Sequence, residues 1–142
     1  MSGYDTDFYG WANEQAALLR AGRLNDADIA NIAEEIDSMG RSEKRELINR
    51  LAVLLAHLLK WHVQPGLRTV SWRLTIEEQR ERLRVHLEDN PSLRPKLAEA
   101  YAQAYRLGRI AAERETGLSR AVLPAVSPWS TAQALDDAFY PE

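Results

Sequence analysis

The sequence predicts an all-α, single-domain antiparallel helical bundle with four main helices, the second very long or kinked, and a short C-terminal helix. Three observations support this fold class. Apolar residues recur at steps of three and four along most of the chain, and short breaks with cap and turn residues separate the periodic segments. No segment shows the sustained alternation with β-branched residues that strands require. Short connections between long amphipathic helices are typical of antiparallel neighbours.

Length and composition agree with one globular domain over residues 1–142. The chain is 45% hydrophobic and contains no Cys, so disulfides and thiolate metal sites are excluded and a reducing cytoplasm is expected. No apolar run approaches a membrane span, and the N-terminus lacks the pattern of a signal peptide, so we expect no membrane association. The net charge of −3 argues against nucleic acid as a partner, since a basic surface supplies most of that affinity.

The first helix is predicted to begin with Asp5 as N-cap and Asp7 in the first turn, where negative charge suits the helix dipole. Gly22 stands where a glycine commonly ends a helix. The residues that share the predicted inner face are Phe8, Trp11, Ala12, Gln15, Leu18 and Leu19.

The second helix is predicted from about residue 26 to residue 63, with Asn25 or Asp26 as N-cap. The phase of the apolar pattern does not reset at Gly40, which favours one long helix with a kink or a close helix contact there. Two helices joined at Gly40 are the alternative. The residues on the predicted face are Ile29, Ala33, Ile36, Gly40, Leu47, Leu51, Leu54, Leu58 and Trp61.

The third helix follows a turn at Gln64-Pro65-Gly66, for which Pro and Gly in this order predict type II geometry. Ser71 is the favoured cap, and Thr75 with Glu78 is a later alternative. The earlier start is favoured because it places one set of residues on a single face: Trp72, Ile76, Gln79, Leu83 and Leu87.

The fourth helix is predicted from Ser92 as N-cap to about Glu115, with Gly117 just beyond its end. Its predicted inner face is Leu93, Leu97, Ala100, Ala104, Gly108 and Ala111, flanked by Tyr101 and Tyr105. Because most of these residues are small, we expect a neighbouring helix to approach closely.

Residues 118–142 form a Pro- and Ser-rich segment that is expected to pack on the bundle. Ser130 and Gln133 fit a capping box, which predicts one short helix over about residues 131–138.

Several short motifs occur in a specific combination: Glu34-Glu35-Ile36, HLLKW at residues 57–61, Gln64-Pro65, Ser71-Trp72, Gln79-Arg80 and Asn90-Pro91-Ser92. With them the chain, from about Tyr4 to about Leu123, resembles the bacterial family catalogued as domain of unknown function number 29. The resemblance implies an all-helical cytoplasmic protein, and it implies no activity.

The most concentrated set of polar and aromatic side chains surrounds the turn between the second and third helices. It comprises His57, Lys60, Trp61, Gln64, Arg68, Trp72 and Gln79. The favoured interpretation is a hydrogen-bonded clasp of the helical hairpin, in which a buried Gln79 bonds to His57 or to a carboxylate of the second helix. The alternative is a ligand-binding pocket in which His57, Lys60 and Arg68 hold an anion between the two Trp rings.

Metal and catalytic sites are not predicted. A carboxylate-bridged metal bundle needs Glu-x-x-His pairs, whereas Leu stands three residues before each of His57, His62 and His86. No ordered acid, base and nucleophile occur together, so no catalytic residues and no cofactor are predicted. The charged run of residues 80–89 is interpreted as a solvated helix face, because acids and bases alternate in it.

The predicted function is that of a non-enzymatic cytoplasmic interaction or scaffold protein, whose partner is another protein or a second copy of the chain. The front aromatics Tyr4, Phe8, Tyr9 and Trp11 either pack on the core side of the first helix or form a homodimer contact. The alternative function is a binding module for a small anion or acidic partner at the hairpin.

Overall fold

The computed structural model describes residues 2–142. Its α-helices are α1 (Phe8–Arg20), α2 (Ile29–Val63), α3 (Val70–Asp89), α4 (Leu97–Thr116) and α5 (Thr131–Leu135). Short 3₁₀ helices lie between them at Leu24–Asp26, Pro65–Leu67, Pro91–Lys96 and Arg120–Val122. Since residues 2–142 contain no strand, the predicted all-α class with a long second helix and a short last helix is confirmed. None of the helices in this described part combines the length and hydrophobicity that a bilayer crossing requires.

The chain divides into two compact units, of which the first ends at Ser42 and the second is Glu43–Glu142. The prediction of one domain over the whole chain stays a prediction, and each unit is described by itself. Helix α2 contributes to both units and continues through Gly40, so one long helix is confirmed and two helices joined at Gly40 are wrong. A Cβ atom at Gly40 would meet no atom of the described chain within 4 Å, so the close helix contact expected there is absent.

In the first unit, α1 begins two residues later than predicted. The side chain of Asp7, and not of Asp5, accepts a hydrogen bond from the backbone N–H of Gly10 at 3.0 Å and forms the N-cap. Gly22 follows the helix with a φ of 72°, in the left-handed region that a side chain would disfavour. The predicted role of Gly22 at the end of α1 is therefore confirmed.

Asp28 connects the two helical segments of the first unit. Its carboxylate accepts hydrogen bonds from Trp11 Nε1 at 3.0 Å and from the backbone N–H of Asn31 at 3.4 Å, while its own N–H donates to Gln15 Oε1 at 2.7 Å. Asp28 therefore caps α2, and the predicted caps Asn25 and Asp26 lie in the preceding 3₁₀ helix.

The core of the second unit is formed by α2, α3, α4 and the C-terminal segment. Its members are Leu47, Ile48, Leu51, Leu54, Leu55, Leu58, Leu59, Ile76, Leu83, Leu87, Ala100, Tyr101, Ala104, Tyr105, Ala112, Leu123, Trp129 and Ala134. Tyr101 and Tyr105 thus lie in the core instead of flanking it, and Ala112 replaces Ala111 as the last buried residue of α4.

Gly108 of α4 lies close to the backbone of α2. A Cβ atom there would lie 2.9 Å from the carbonyl oxygen of Ala52 and 3.2 Å from the Ala56 nitrogen. The expectation that the small residues of the fourth helix admit a close neighbour is therefore met at this position.

The helix starts in the second unit differ from those predicted. Residues 65–67 form a 3₁₀ turn, and Gly66 lacks the positive φ that a type II turn requires. Thr69, not Ser71, caps α3 by accepting from the N–H of Trp72 at 3.1 Å. Ser92 caps nothing, because it lies inside the 3₁₀ helix Pro91–Lys96 that precedes α4.

The helix ends of the second unit agree better with the local signals. Gly117 ends α4 with a φ of 74°, as predicted. The capping box of Ser130 and Gln133 is present, although α5 ends at Leu135 instead of residue 138.

The C-terminal segment is attached to the second unit by side chains that donate to its backbone carbonyls. Tyr101 donates to Trp129 at 3.0 Å and Tyr105 donates to Pro124 at 2.6 Å. Arg109 donates to the carbonyl of Leu123 at 3.1 Å. The C-terminal segment has little regular structure, so its backbone carbonyls lack the partners that a helix or sheet would provide. The side chains of α4 donate to these carbonyls instead.

Candidate functional site

The cationic residues predicted at the hairpin each have a partner within the chain. His57 Nδ1 contacts the carbonyl oxygen of Val53 at 2.8 Å, one turn earlier in its own helix. Burial lowers the pKa of His57 below its ordinary value, so the ring is neutral at pH 7. His57 therefore does not supply a positive charge for an anion.

Lys60 and Arg68 lie against the two Trp rings, and each is also bonded to an oxygen atom of the chain. The ammonium group of Lys60 is 3.1 Å from Glu115 Oε2 and 4.8 Å from the centroid of the Trp72 ring. Arg68 donates to the carbonyl oxygen of Trp61 at 2.8 Å, and its guanidinium group lies 5.0 Å from the Trp61 ring centroid. Both cations thus stabilise the hairpin, and anion binding by them would require these contacts to be replaced.

The expected hydrogen bond between Gln79 and His57 is absent. Gln79 Oε1 is buried without a hydrogen-bond partner, and Gln64 takes part in the turn through its carbonyl, which accepts from Leu67 at 3.0 Å. The predicted set is therefore brought together in two pairs, Lys60 with Trp72 and Arg68 with Trp61. Gln79 belongs to neither.

Arg80 is a polar residue of the second unit that sequence analysis did not single out as a site. It is only 2% exposed, and it donates to the carbonyl oxygens of Ala134 at 2.8 Å and Phe139 at 2.7 Å. Its guanidinium group also lies 5.3 Å from the Tyr140 ring centroid. Arg80 thus fastens the C-terminal segment to α3.

The spacing of residues in α3 contains the signal that would have identified Arg80. Arg80 stands four residues after Ile76 and three before Leu83, and His86 stands three after Leu83, so all four share the inner face. Arg80 and His86 are both buried. The interpretation of residues 80–89 as a solvated face is wrong at these two positions.

A cleft of about 520 Å³ lies between α2 and α3 in the second unit. Its lining residues are Glu43, Glu46, Arg50, Glu81, Arg82, Val85, His86, Asp89 and Asn90. The acids outnumber the two arginines, so the cleft is electrostatically suited to a cation.

His86, Glu43 and Glu46 converge at this cleft. His86 Nε2 lies 2.9 Å from the backbone carbonyl oxygen of Glu43, and this contact is a hydrogen bond only if Nε2 carries the proton. In the neutral ring with this tautomer, His86 Nδ1 presents a lone pair, and it lies 3.8 Å from Glu46 Oε2. The other oxygen of Glu46 accepts two hydrogen bonds from Arg50, which is the main reason that the pKa of Glu46 is lowered.

The first unit presents a different kind of surface. The aromatics predicted at its front pack partly on one another, with the Tyr4 and Trp11 ring centroids 4.7 Å apart, while Tyr9 is 80% exposed. The hydroxyl of Tyr4 donates to Glu35, and this bond is the main cause that raises the pKa of Tyr4 to about 12.

On α2, the first unit carries an apolar stripe that we call the α2 stripe: Ile29, Ile32, Ile36 and Met39. Ile32 is half-buried, and the other three residues are exposed. The exposed fractions of Ile29, Ile36 and Met39 are 53%, 63% and 67%. These residues were predicted, in part, as the inner face of the second helix. The periodicity is present, but within the described chain most of this face is not covered.

Comparison with known proteins places the chain in one family. The family model described as Domain of unknown function DUF29 matches residues 3–140, which is nearly the whole chain. No curated protein and no solved structure gives a match.

Proposed function

The chain belongs to this family of unknown function, and we propose that the protein is a non-enzymatic interaction protein of the cytoplasm that pairs with a second copy of itself. The observation that carries the proposal is the exposed α2 stripe of the first unit. Single exposed apolar residues are common on protein surfaces, whereas a contiguous stripe marks an interaction surface.

The spacing within the α2 stripe suits helix pairing. Its residues follow one another at steps of three, four and three, the pattern by which two helices interlock along an apolar seam. Two copies related by a two-fold axis would bury the same stripe on each other, because such an interface is self-complementary.

The order of charges along α2 favours an antiparallel pair. Residues 34–37 contain three acids and no base, and residues 41–45 contain three bases and one acid. A parallel pair would place each run beside the same run of the other copy, whereas an antiparallel pair centred on the α2 stripe separates the two basic runs.

The alternative function, anion binding at the hairpin, has less support. Lys60 is bonded to Glu115, Arg68 is bonded to the Trp61 carbonyl, and His57 is neutral at pH 7. Anion binding at the hairpin therefore stays a prediction.

Sedimentation equilibrium of the full chain tests the proposal. We expect wild-type protein to populate a dimer at micromolar concentration and Ile36→Glu to weaken the dimer at least tenfold, because each dimer would bury two added carboxylates in an apolar seam. Leu74→Glu is the matched control, since Leu74 is an exposed residue inside α3 with a similar exposed fraction of 52%.

Two results would contradict the proposal. One is a wild-type protein that stays monomeric up to about 1 mM, a concentration at which even a weak pairing of about 4 kcal/mol would be visible. The other is a dimer that Ile36→Glu and Leu74→Glu affect equally, which would show that the α2 stripe is not the contact.

A further inference from the structure

We propose that Glu43, Glu46 and His86 form a binding site for one divalent transition-metal ion in the cleft between α2 and α3. Each of these residues offers one ligand atom, and the three atoms lie within 4.8 Å of one another. This inference does not depend on self-association, because all three residues belong to one copy of the second unit.

His86 is held in the orientation that a metal ligand needs. It is 8% exposed, and its Nε2–H donates to the backbone carbonyl of Glu43 at 2.9 Å. Metal-binding histidines almost always donate their second ring N–H to a carbonyl or carboxylate, which fixes the tautomer and orients the other nitrogen. Here that arrangement leaves Nδ1 as the donor atom.

His86 Nδ1 faces a second donor at short distance. Glu46 Oε2 lies 3.8 Å away, and in this tautomer both atoms carry lone pairs and repel one another. A cation between them relieves that repulsion, since ligand atoms at about 2.0–2.2 Å from one ion lie roughly 3 Å or more apart. The pair of His86 Nδ1 and Glu46 therefore needs only a small adjustment to coordinate an ion. Glu43 Oε2 lies 3.6 Å from His86 Nε2, on the protonated side of the ring, so the Glu43 side chain must turn toward Nδ1 to reach the same ion.

Both carboxylates are exposed enough to make these adjustments. The side chains of Glu43 and Glu46 are 47% and 42% exposed, so their rotamers can change without disturbing the core. Arg50 holds the other oxygen of Glu46 at 2.6 Å, keeping the carboxylate ionised and oriented as an outer partner does in metal sites.

The donor set selects the class of ion. One imidazole nitrogen with two carboxylate oxygens suits Zn²⁺, Mn²⁺ or Fe²⁺, whereas Ca²⁺ and Mg²⁺ prefer oxygen alone. The remaining coordination positions face the cleft, where water or a ligand oxygen has access.

Isothermal titration of Zn²⁺ and Mn²⁺ into chelator-treated full chain tests the proposal. We expect one ion per chain for the wild type, with Glu43→Gln and Glu46→Gln each weakening the affinity at least tenfold. The matched control is Glu77→Gln, because Glu77 pairs with Arg73 on α3 in the same four-residue spacing as Glu46 with Arg50, and it is similarly exposed. This control should bind as the wild type does.

The nitrogen donor is assigned by NMR of the histidine rings. Zn²⁺ is expected to shift the Nδ1 resonance of His86 and to leave those of His57 and His62 unchanged, a readout that needs no variant of the buried His86. Absence of binding at 1 mM ion would overturn the proposal and leave the cluster as an ion pair only. Binding that both glutamate variants leave intact, or that shifts His62 instead, would overturn it as well.

Discussion

The two parts of α2 carry the same apolar periodicity and differ in what covers it. In the second unit, Leu51 and Leu54 are 0% exposed under α3, α4 and the C-terminal segment. In the first unit, Ile36 and Met39 continue the pattern on the same helix and are more than 60% exposed. Periodicity therefore identifies the face of a helix that can be buried, and it does not say which other surface buries it.

The largest expected effect in this comparison comes from shortening one apolar side chain in each part of α2. Leu54→Ala should lower the free energy of unfolding by about 2–5 kcal/mol, because it removes buried methyl groups and leaves a cavity. Ile36→Ala should change it by no more than about 0.5 kcal/mol in dilute protein, since the side chain is already in water. Urea denaturation below the concentration of self-association measures both. Equal losses would show that the two parts of the helix are covered alike.

A second test concerns the C-terminal segment, which packs on the helices of the second unit. Arg80→Met should cost about 3 kcal/mol, because the carbonyls of Ala134 and Phe139 lose charged donors inside the core. Arg82→Met is the control, since Arg82 is exposed and pairs with Glu78 on the same helix. Hydrogen exchange should show faster exchange in residues 131–139 for the first variant alone. Unchanged exchange there would mean that Arg80 does not fasten the segment.

Two helical glycines extend the comparison to close packing. Gly108→Ala should destabilise the protein by about 1–3 kcal/mol, because the added Cβ meets the backbone of α2 at 2.9 Å. Gly40→Ala should stabilise it by about 0.5–1 kcal/mol, since no atom of the described chain lies within 4 Å and Ala favours the helix. Thermal melting of both variants shows whether each substitution raises or lowers the melting temperature. A change in the same direction for both variants would contradict the conclusion that Gly108 is closely packed and Gly40 is not.

The smallest expected effect is at Gln79, where the structure changes the prediction from sequence. The sequence predicts that Gln79 bonds to His57 or to a carboxylate of the second helix, but Gln79 Oε1 makes no hydrogen bond in the described chain. Gln79→Leu should therefore alter the free energy of unfolding by less than about 1 kcal/mol. If chemical denaturation shows that the free energy of unfolding falls by 2 kcal/mol or more, the interpretation of Gln79 as a hydrogen-bonded member of the hairpin would be supported instead.

Local signals were sufficient for much of the fold. Gly22 and Gly117 end helices because only glycine tolerates the left-handed backbone there, and the Ser130 capping box is complete within four residues. Helix starts were less predictable, because two residues that can serve as N-cap occur within a single turn. Asp5 and Asp7 are such a pair before α1, and Thr69 and Ser71 are such a pair before α3. The choice between such neighbours depends on tertiary contacts.

The candidate sites required three-dimensional information. Arg80 donates to carbonyl oxygens more than 50 residues later in the chain. These carbonyls belong to a segment with little periodic pattern, so its path could not be predicted from the sequence. Glu43 and Glu46 are visible on one helix face, but His86 joins them only through the register of α3 on α2. At the hairpin, the pairing of Lys60 with Glu115 also required three-dimensional information, because the two residues are 55 positions apart in the chain.

Hydrogen exchange along α2 at two protein concentrations tests the central claim most directly. Residues 43–63 should be strongly protected at both about 1 µM and about 200 µM, because their face is covered within each copy. Residues 29–42 should exchange faster at the low concentration and gain protection at the high one, when a second copy covers the α2 stripe. Protection of residues 29–42 that is the same at both concentrations would contradict the account.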